Sequence, residues 1–333
     1  MLLGFYYAKL LLLNIVDLRG NMKKIKEYFS FNKKTLLIPI FIIIIFYGVA
    51  FWRYFATGAV FYIINFCYIG TALAIGIFIG STLKKEYADW GRRITQLLIG
   101  IYMLVFLGFI MGENMQIEGF FLYLMLGIFA GATLHYFIAK IAGVTLFGRG
   151  WCGYACWTAM VLDFLPWKTN KKGRIRKLGV LRYIHFFIAL GLSLTLWFST
   201  ENKETLFTHN SGNVEIIWLI IGNIIYYTIG IILASVLKDN RAFCKYVCPI
   251  PTLMKIGSRF SLMKIKIDDE KCIDCKKCEK ACLMDIKLLD YHKDGKRILS
   301  TECIQCSTCV RVCPTDAIST TFSIDCGFKE KLN

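Results

Sequence analysis

No glycine-rich phosphate loop, no flavin or nucleotide fingerprint and no pairing of a nucleophile with a base can be found in the 333 residues, so hydride transfer and hydrolysis have no footing here. Acidic residues are also few, 23 against 40 Lys and Arg, which leaves a formal charge of +17. Charge of either sign is nearly absent from several long stretches, and 56% of the chain is hydrophobic with mean hydropathy +0.53. A soluble globular domain rarely combines these values, and a membrane protein does.

Six stretches reach the roughly 20 apolar residues that cross a hydrocarbon core of about 30 Å. They run from Thr35 to Tyr54, Ala59 to Leu83, Ile94 to Gly112, Gly119 to Ala139, Gly179 to Phe198 and Glu215 to Leu237. Lys and Arg fall in alternate loops. Lys23, Lys24, Lys26, Lys33 and Lys34 precede the first stretch, Lys84, Lys85, Arg92 and Arg93 follow the second, and Lys168, Lys171, Lys172, Arg174, Arg176 and Lys177 follow the fourth, whereas the other loops hold only Lys203. The bias places the basic loops and both termini in the cytoplasm, on the cytoplasmic membrane, and makes the positive charge an orientation signal and a contact for the lipid bilayer rather than for nucleic acid. The opening MLLGFYYAKLLLLNIV is too short to span and has neither a basic leader nor a small-residue cleavage site. It reads as an interfacial helix or as sequence ahead of a natural start at Met22, within a basic leader over residues 1–34.

Cysteine is abundant by contrast, with 14 residues, 12 of them in four local groups on the predicted cytoplasmic side, where thiols stay reduced and metal ligation is favoured over disulfides. From Cys272 the chain reads CIDCKKCEKAC and from Cys303 it reads CIQCSTCVRVCP. In this spacing three thiolates on one tight loop hold three corners of an iron–sulfur cube and the fourth cysteine serves the other cube. One [4Fe-4S] cluster is therefore assigned to Cys272, Cys275, Cys278 and Cys313, the second to Cys303, Cys306, Cys309 and Cys282. LLDYHKDGKRILS, between the runs, is expected to form a hairpin of two short strands turning at Lys293–Lys296. Residues 265–320 thus resemble a bacterial two-cluster ferredoxin, an α+β domain that moves single electrons, with a tail over 321–333 and Leu283 where the second run has Pro314. Lys271, Lys276, Lys277 and Lys280 form either a solvated surface or a dock for an acidic redox partner.

The other two groups repeat each other: residues 149–156 read RGWCGYAC and residues 241–248 read RAFCKYVC, each after a long apolar run. Cysteines at i and i+4 share one face of a helical turn, so two such copies facing each other bring Cys152, Cys156, Cys244 and Cys248 together at the membrane edge. Four soft thiolates suit an iron–sulfur cluster, Cu(I) or zinc. The plainer reading is of buried cysteines packed as small hydrophobes.

With these motifs the chain, over residues 119 to 318, resembles the membrane polyferredoxins of the NapH, NosR and CcoG type, which join transmembrane helices, two CxxxCP motifs and a C-terminal two-cluster ferredoxin module. Cys244, Cys248 and Pro249 match that pattern; Cys152 and Cys156 match it with Trp157 in place of proline. The resemblance implies a membrane-bound redox component that links the quinone pool to a partner reductase, or one that supplies electrons for maintaining a metalloenzyme or reduces copper. Within the membrane, His135 and His185 are candidates for a quinone or bis-histidine haem site, with interfacial hydrogen bonding as the plainer role. Arg182, Asn65 and Asn223 are weaker candidates, Lys140 is expected to snorkel to the headgroups, and Cys67 and Cys326 to be inert. The linker from Pro251 to Lys264, within a segment over 239–264, is expected to form an interfacial helix that holds the ferredoxin domain against the six-helix domain over 35–238.

Overall fold

The structure is a computed structural model that describes residues 33–129, 131–167, 173–200, 211–325 and 330–332. The apolar opening, Met22, Lys168, Lys171, Lys172, Lys203 and Cys326 lie outside them. The chain divides into two compact units, residues 1–99 and 100–333. Among the described residues, five helices are long and apolar enough to cross a membrane: Leu37–Thr57, Phe61–Thr82, Asp89–Ile110, Arg176–Ser199 and Glu215–Leu237. Their outer faces carry exposed large side chains such as Trp52, Phe55, Phe187 and Phe198, the mark of helices solvated by lipid tails rather than water.

In the first unit, Leu37–Thr57 and Phe61–Thr82 form an antiparallel hairpin that turns at Gly58, whose φ of +72° requires glycine. Gly91 then meets the GxxxG pair Gly76 and Gly80 so closely that a Cβ there would lie 2.4 Å from the Gly76 carbonyl oxygen and from the Gly80 nitrogen. Small residues let the backbones touch where no hydrophobic force draws helices together.

In the second unit the expected fourth span is broken. Ile117–Met125 is helical, the chain turns through Leu126–Phe129, and a new helix runs through Gly131–His135, Tyr136–Ala142 and Gly143–Phe147. The break is a Schellman stop: Gly127 has φ +71° and the Ile128 N–H donates to the Tyr123 carbonyl across the turn. Among the described residues, five of the six expected spans are continuous helices and the fourth is split.

Among the described residues, the C-terminal domain carries one two-stranded antiparallel sheet, β1 (Met263–Ile267) against β2 (Ile318–Phe322), with Ile265 opposite Thr320. The expected hairpin between the cysteine runs is not formed. Leu288–Lys293 is a helix, and only the turn at Gly295, φ +65°, survives from that reading. Leu288, Leu289 and Tyr291 are all buried, a spacing that one helix face satisfies and that a strand, with its alternate sides, does not. The linker is helical over Ile250–Arg259, with Pro251, Met254 and Ser258 buried against the rest of the unit.

Candidate functional site

The two ferredoxin runs are conformational copies. Asp274, Lys276 and Asp285 in the first half, and Gln305, Ser307 and Asp316 in the second, all have φ between 52° and 58°. Six non-glycine residues in the left-handed region are a cost that a loop wrapped round a prosthetic group explains. Each loop surrounds an apolar cavity. One is lined by Cys282, Cys303, Cys306 and Cys309 with Ile265, Leu288 and Ile298 around them. The other is lined by Cys272, Cys275, Cys278 and Cys313 with Ile267, Leu289 and Ile318. The fourth cysteine of each run therefore lines the cavity of the other run.

The donor set fits iron–sulfur cubes. The Ile286 N–H approaches Cys282 Sγ at 3.4 Å and the Ala317 N–H approaches Cys313 Sγ at 3.3 Å, the backbone donors that tune a cluster's sulfur. Burial pushes the Cys282 and Cys303 thiols up to about 12, so only a bound cation would hold them as thiolates at neutral pH.

The duplicated motifs also fold as copies. Gly150–Tyr154 and Ala242–Tyr246 are single helical turns, preceded by Arg149 and Arg241, and a fresh helix starts just after the second cysteine of each, at Trp157 and at Ile250. Both arginines are buried, at 1% and 0% exposure. Arg241 joins the copies: its guanidinium donates to the Cys152 carbonyl at 3.0 Å, lies 3.8 Å from Cys244 Sγ, and pairs with Asp163 at 2.5 Å. Cys248 is near enough to Cys244, Cys156 and Cys152 to interact electrostatically with all three, and burial followed by those neighbours raises its thiol pKa. Burial likewise pushes Cys244 up to about 11. Met254 brings a fifth soft atom, its Sδ 3.7 Å from Cys152 Sγ.

A tetrahedral site with metal–sulfur bonds of about 2.3 Å places its sulfurs about 3.8 Å apart. Among the described residues the one group of three potential ligands within 4.8 Å of one another is Cys272, Asp274 and His292 at the first loop, so neither the membrane-edge cysteines nor the ferredoxin quartets are drawn together that tightly.

Trp157, in place of the expected proline, has its own role: its indole N–H donates to Asn223 Oδ1 at 3.0 Å and its carbonyl accepts from the Tyr227 hydroxyl at 3.0 Å. His185 uses both ring nitrogens within the protein, Nδ1 with the Val247 carbonyl at 3.0 Å and Nε2 with the Tyr226 hydroxyl at 3.3 Å. His135 packs edge-on against Trp151 at 4.7 Å, and its Nε2 is buried without a hydrogen-bond partner. Among the described residues, no hydrogen bond or ring contact joins the two histidines. Lys140 does not snorkel; it is 4% exposed, with its ammonium 5.2 Å from the Trp151 ring. Cys67 sits partly buried in the second span without a disulfide partner, and Arg182 is drawn into the network described next.

Sequence reasoning missed Glu302, the residue before Cys303. It is 4% exposed and receives Arg149 at 2.8 Å, Arg182 at 2.6 Å and Arg174 at 3.2 Å. Arg174 and Arg182 also donate to the Lys245 carbonyl, so one carboxylate ties the second ferredoxin loop to both copies of the cysteine motif. Burial works against ionisation of Glu302, but the three guanidinium groups outweigh it and hold the carboxyl well below the usual carboxylate range. Lys245 adds a parallel tie, 2.6 Å from both Asp239 and Asp285. The available signal was a lone acid beside a cluster cysteine in a basic chain.

Two family models match this chain. One, described as a 4Fe-4S dicluster domain, matches residues 264–314. The other, described as a 4Fe-4S binding domain, matches residues 119–176 and 224–268, which include both copies of the cysteine motif. This is an iron–sulfur electron-transfer protein on membrane helices. Among curated relatives, an uncharacterized protein of Methanocaldococcus jannaschii is 27% identical over 234 residues, 68% of this chain and 85% of that protein. YccM of Escherichia coli, named for electron transport, is 36% identical over 144 residues, 42% of this chain and 34% of that protein. The methylamine utilization ferredoxin-type protein MauN of Paracoccus denitrificans is 26% identical over 142 residues, 40% of this chain and 48% of that protein. No solved structure matches.

Proposed function

We propose that the chain is a relay of single electrons in the cytoplasmic membrane, of the NapH and NosR type, with its ferredoxin domain and both termini in the cytoplasm. Two [4Fe-4S] clusters would be held by Cys272, Cys275, Cys278 and Cys313 and by Cys303, Cys306, Cys309 and Cys282. A third would be held by Cys152, Cys156, Cys244 and Cys248 at the membrane edge, where it supplies one-electron chemistry linked to the quinone pool or to a partner reductase. The observation that carries this reading is the bridge made by Arg241, from the Cys244 sulfur to the Cys152 carbonyl, which places the two copies at one buried location. The proposed topology counts the split fourth segment as a crossing made in two pieces, giving six crossings and both ends on one side.

A second reading, in which the membrane-edge site binds and reduces copper for another enzyme, is favoured by Met254, whose thioether 3.7 Å from Cys152 Sγ adds a soft donor suited to Cu(I). Iron, sulfide and copper are to be quantified alongside electron paramagnetic resonance, on the natural chain and on a Cys152→Ser, Cys248→Ser variant. About twelve irons per chain falling to about eight in the variant support the third cube, at four irons per cluster. Eight in both remove it, and bound copper with reduction of added Cu(II) supports the second reading.

A further inference from the structure

The two ferredoxin halves share their cysteine spacing and their left-handed backbone positions, yet the structure gives them opposite surroundings. Ile273, between the first two cysteines of the first run, is 63% exposed, and Asp274, Cys275, Lys276 and Lys277 beside it are exposed too. Its counterpart Ile304, between the first two cysteines of the second run, is 1% exposed, and Gln305 is 5% exposed. What covers the second loop is the first copy of the membrane-edge motif. A Cβ on Gly153, which sits between Cys152 and Cys156, would lie 2.3 Å from the Ile304 carbonyl oxygen, and Cys152 shares one apolar core with Ile304. Glu302, two residues before Ile304, closes the same junction through Arg149 and Arg182.

Resting on the function proposed above, we infer that the halves are not interchangeable: the Cys303–Cys306 half is the inward partner of the four membrane-edge cysteines, with Glu302 and Gly153 as its positioning residues, and the Cys272–Cys278 half is the outward face through which a soluble one-electron carrier exchanges. The exchange balances with no bond made or broken; the carrier loses one electron when this chain gains one, and the reverse holds for flow the other way. Exposed lysines on the outward loop are interleaved with exposed Asp269, Glu270 and Asp274, so exposure rather than charge distinguishes this face.

The test uses the full chain in detergent or nanodiscs, with an anionic dysprosium chelate as a relaxing agent for the cluster signals. Cys275→Ala and Cys306→Ala identify which signal belongs to which half. The chelate is expected to accelerate relaxation of the signal altered by Cys275→Ala several-fold more than that of the signal altered by Cys306→Ala. Equal enhancement, or the reverse order, overturns the inference. Should the cysteine variants not assemble, Gly153→Leu serves instead: it is expected to admit the chelate to the second signal while leaving the first unchanged, and an unchanged second signal counts against the inference. The measurement needs no metal at Cys152, Cys156, Cys244 and Cys248, so an iron count of eight would remove the third cluster without deciding which half faces outward.

Discussion

A buried charge is stabilising only when its partners are complete, and Glu302 shows the rule at its sharpest. Three guanidinium groups, from Arg149, Arg174 and Arg182, meet in a buried place with this carboxylate as their shared partner. Glu302→Gln leaves those charges without it, and breaking a buried pair in this way costs about 3–5 kcal/mol. The expected outcome is a ferredoxin domain released from the membrane helices, seen as protease cleavage after residue 259 at concentrations that spare the natural chain. Acid reaches the same group by another route. Because the folded pKa is depressed, the stabilisation is fully present above the ordinary glutamate range near 4.3 and is lost only as pH falls below it toward the folded value. Protease resistance of the junction should therefore be unchanged between pH 7 and pH 5 and should decline below about pH 4.

Elements show where pattern alone misleads. The run from Gly119 to Ala139 is apolar throughout, and hydropathy has no means of seeing a stop inside it, yet the Gly127 conformation ends one helix and lets the next begin. Glycine carries this turn because no other residue adopts φ +71° without strain; nothing lies within 4 Å of the place where a Cβ would stand. Gly127→Ala is thus expected to lower stability by about 1 kcal/mol through backbone strain, read as a lower thermal midpoint of the detergent-solubilised protein. An unchanged midpoint would mean that the turn relaxes. The mistaken hairpin over Leu288–Leu299 has a related cause: short apolar runs beside a glycine turn suit either a strand or a helix, and burial of Leu288 together with Leu289 decided for helix. The duplicated cysteine turns were legible, by contrast, because their Arg, aromatic and Tyr positions repeat along with the sulfurs.

For the whole molecule, membrane residence follows from the five long apolar helices among the described residues, whose outward faces are large and apolar. The proposed orientation rests on lysine and arginine bias and is open to a direct check. Green fluorescent protein fused after Asn333 should fluoresce, and alkaline phosphatase at the same place should be inactive, as each requires of a cytoplasmic position; the opposite pair of results would turn the proposed topology over.

The sequence by itself determined the membrane class, the two cysteine runs and the repeat of RGWCGYAC in RAFCKYVC, because span length, ligand spacing and internal similarity are local properties that need no partner to be read. Only the tertiary structure decided what each half of the ferredoxin domain touches. Ile273 and Ile304 stand in the same local sequence, Cys-Ile-x-Cys, and one lies open while the other is sealed beneath Gly153. Burial and close approach depend on residues more than a hundred positions away along the chain, so spacing within a motif carries no trace of them.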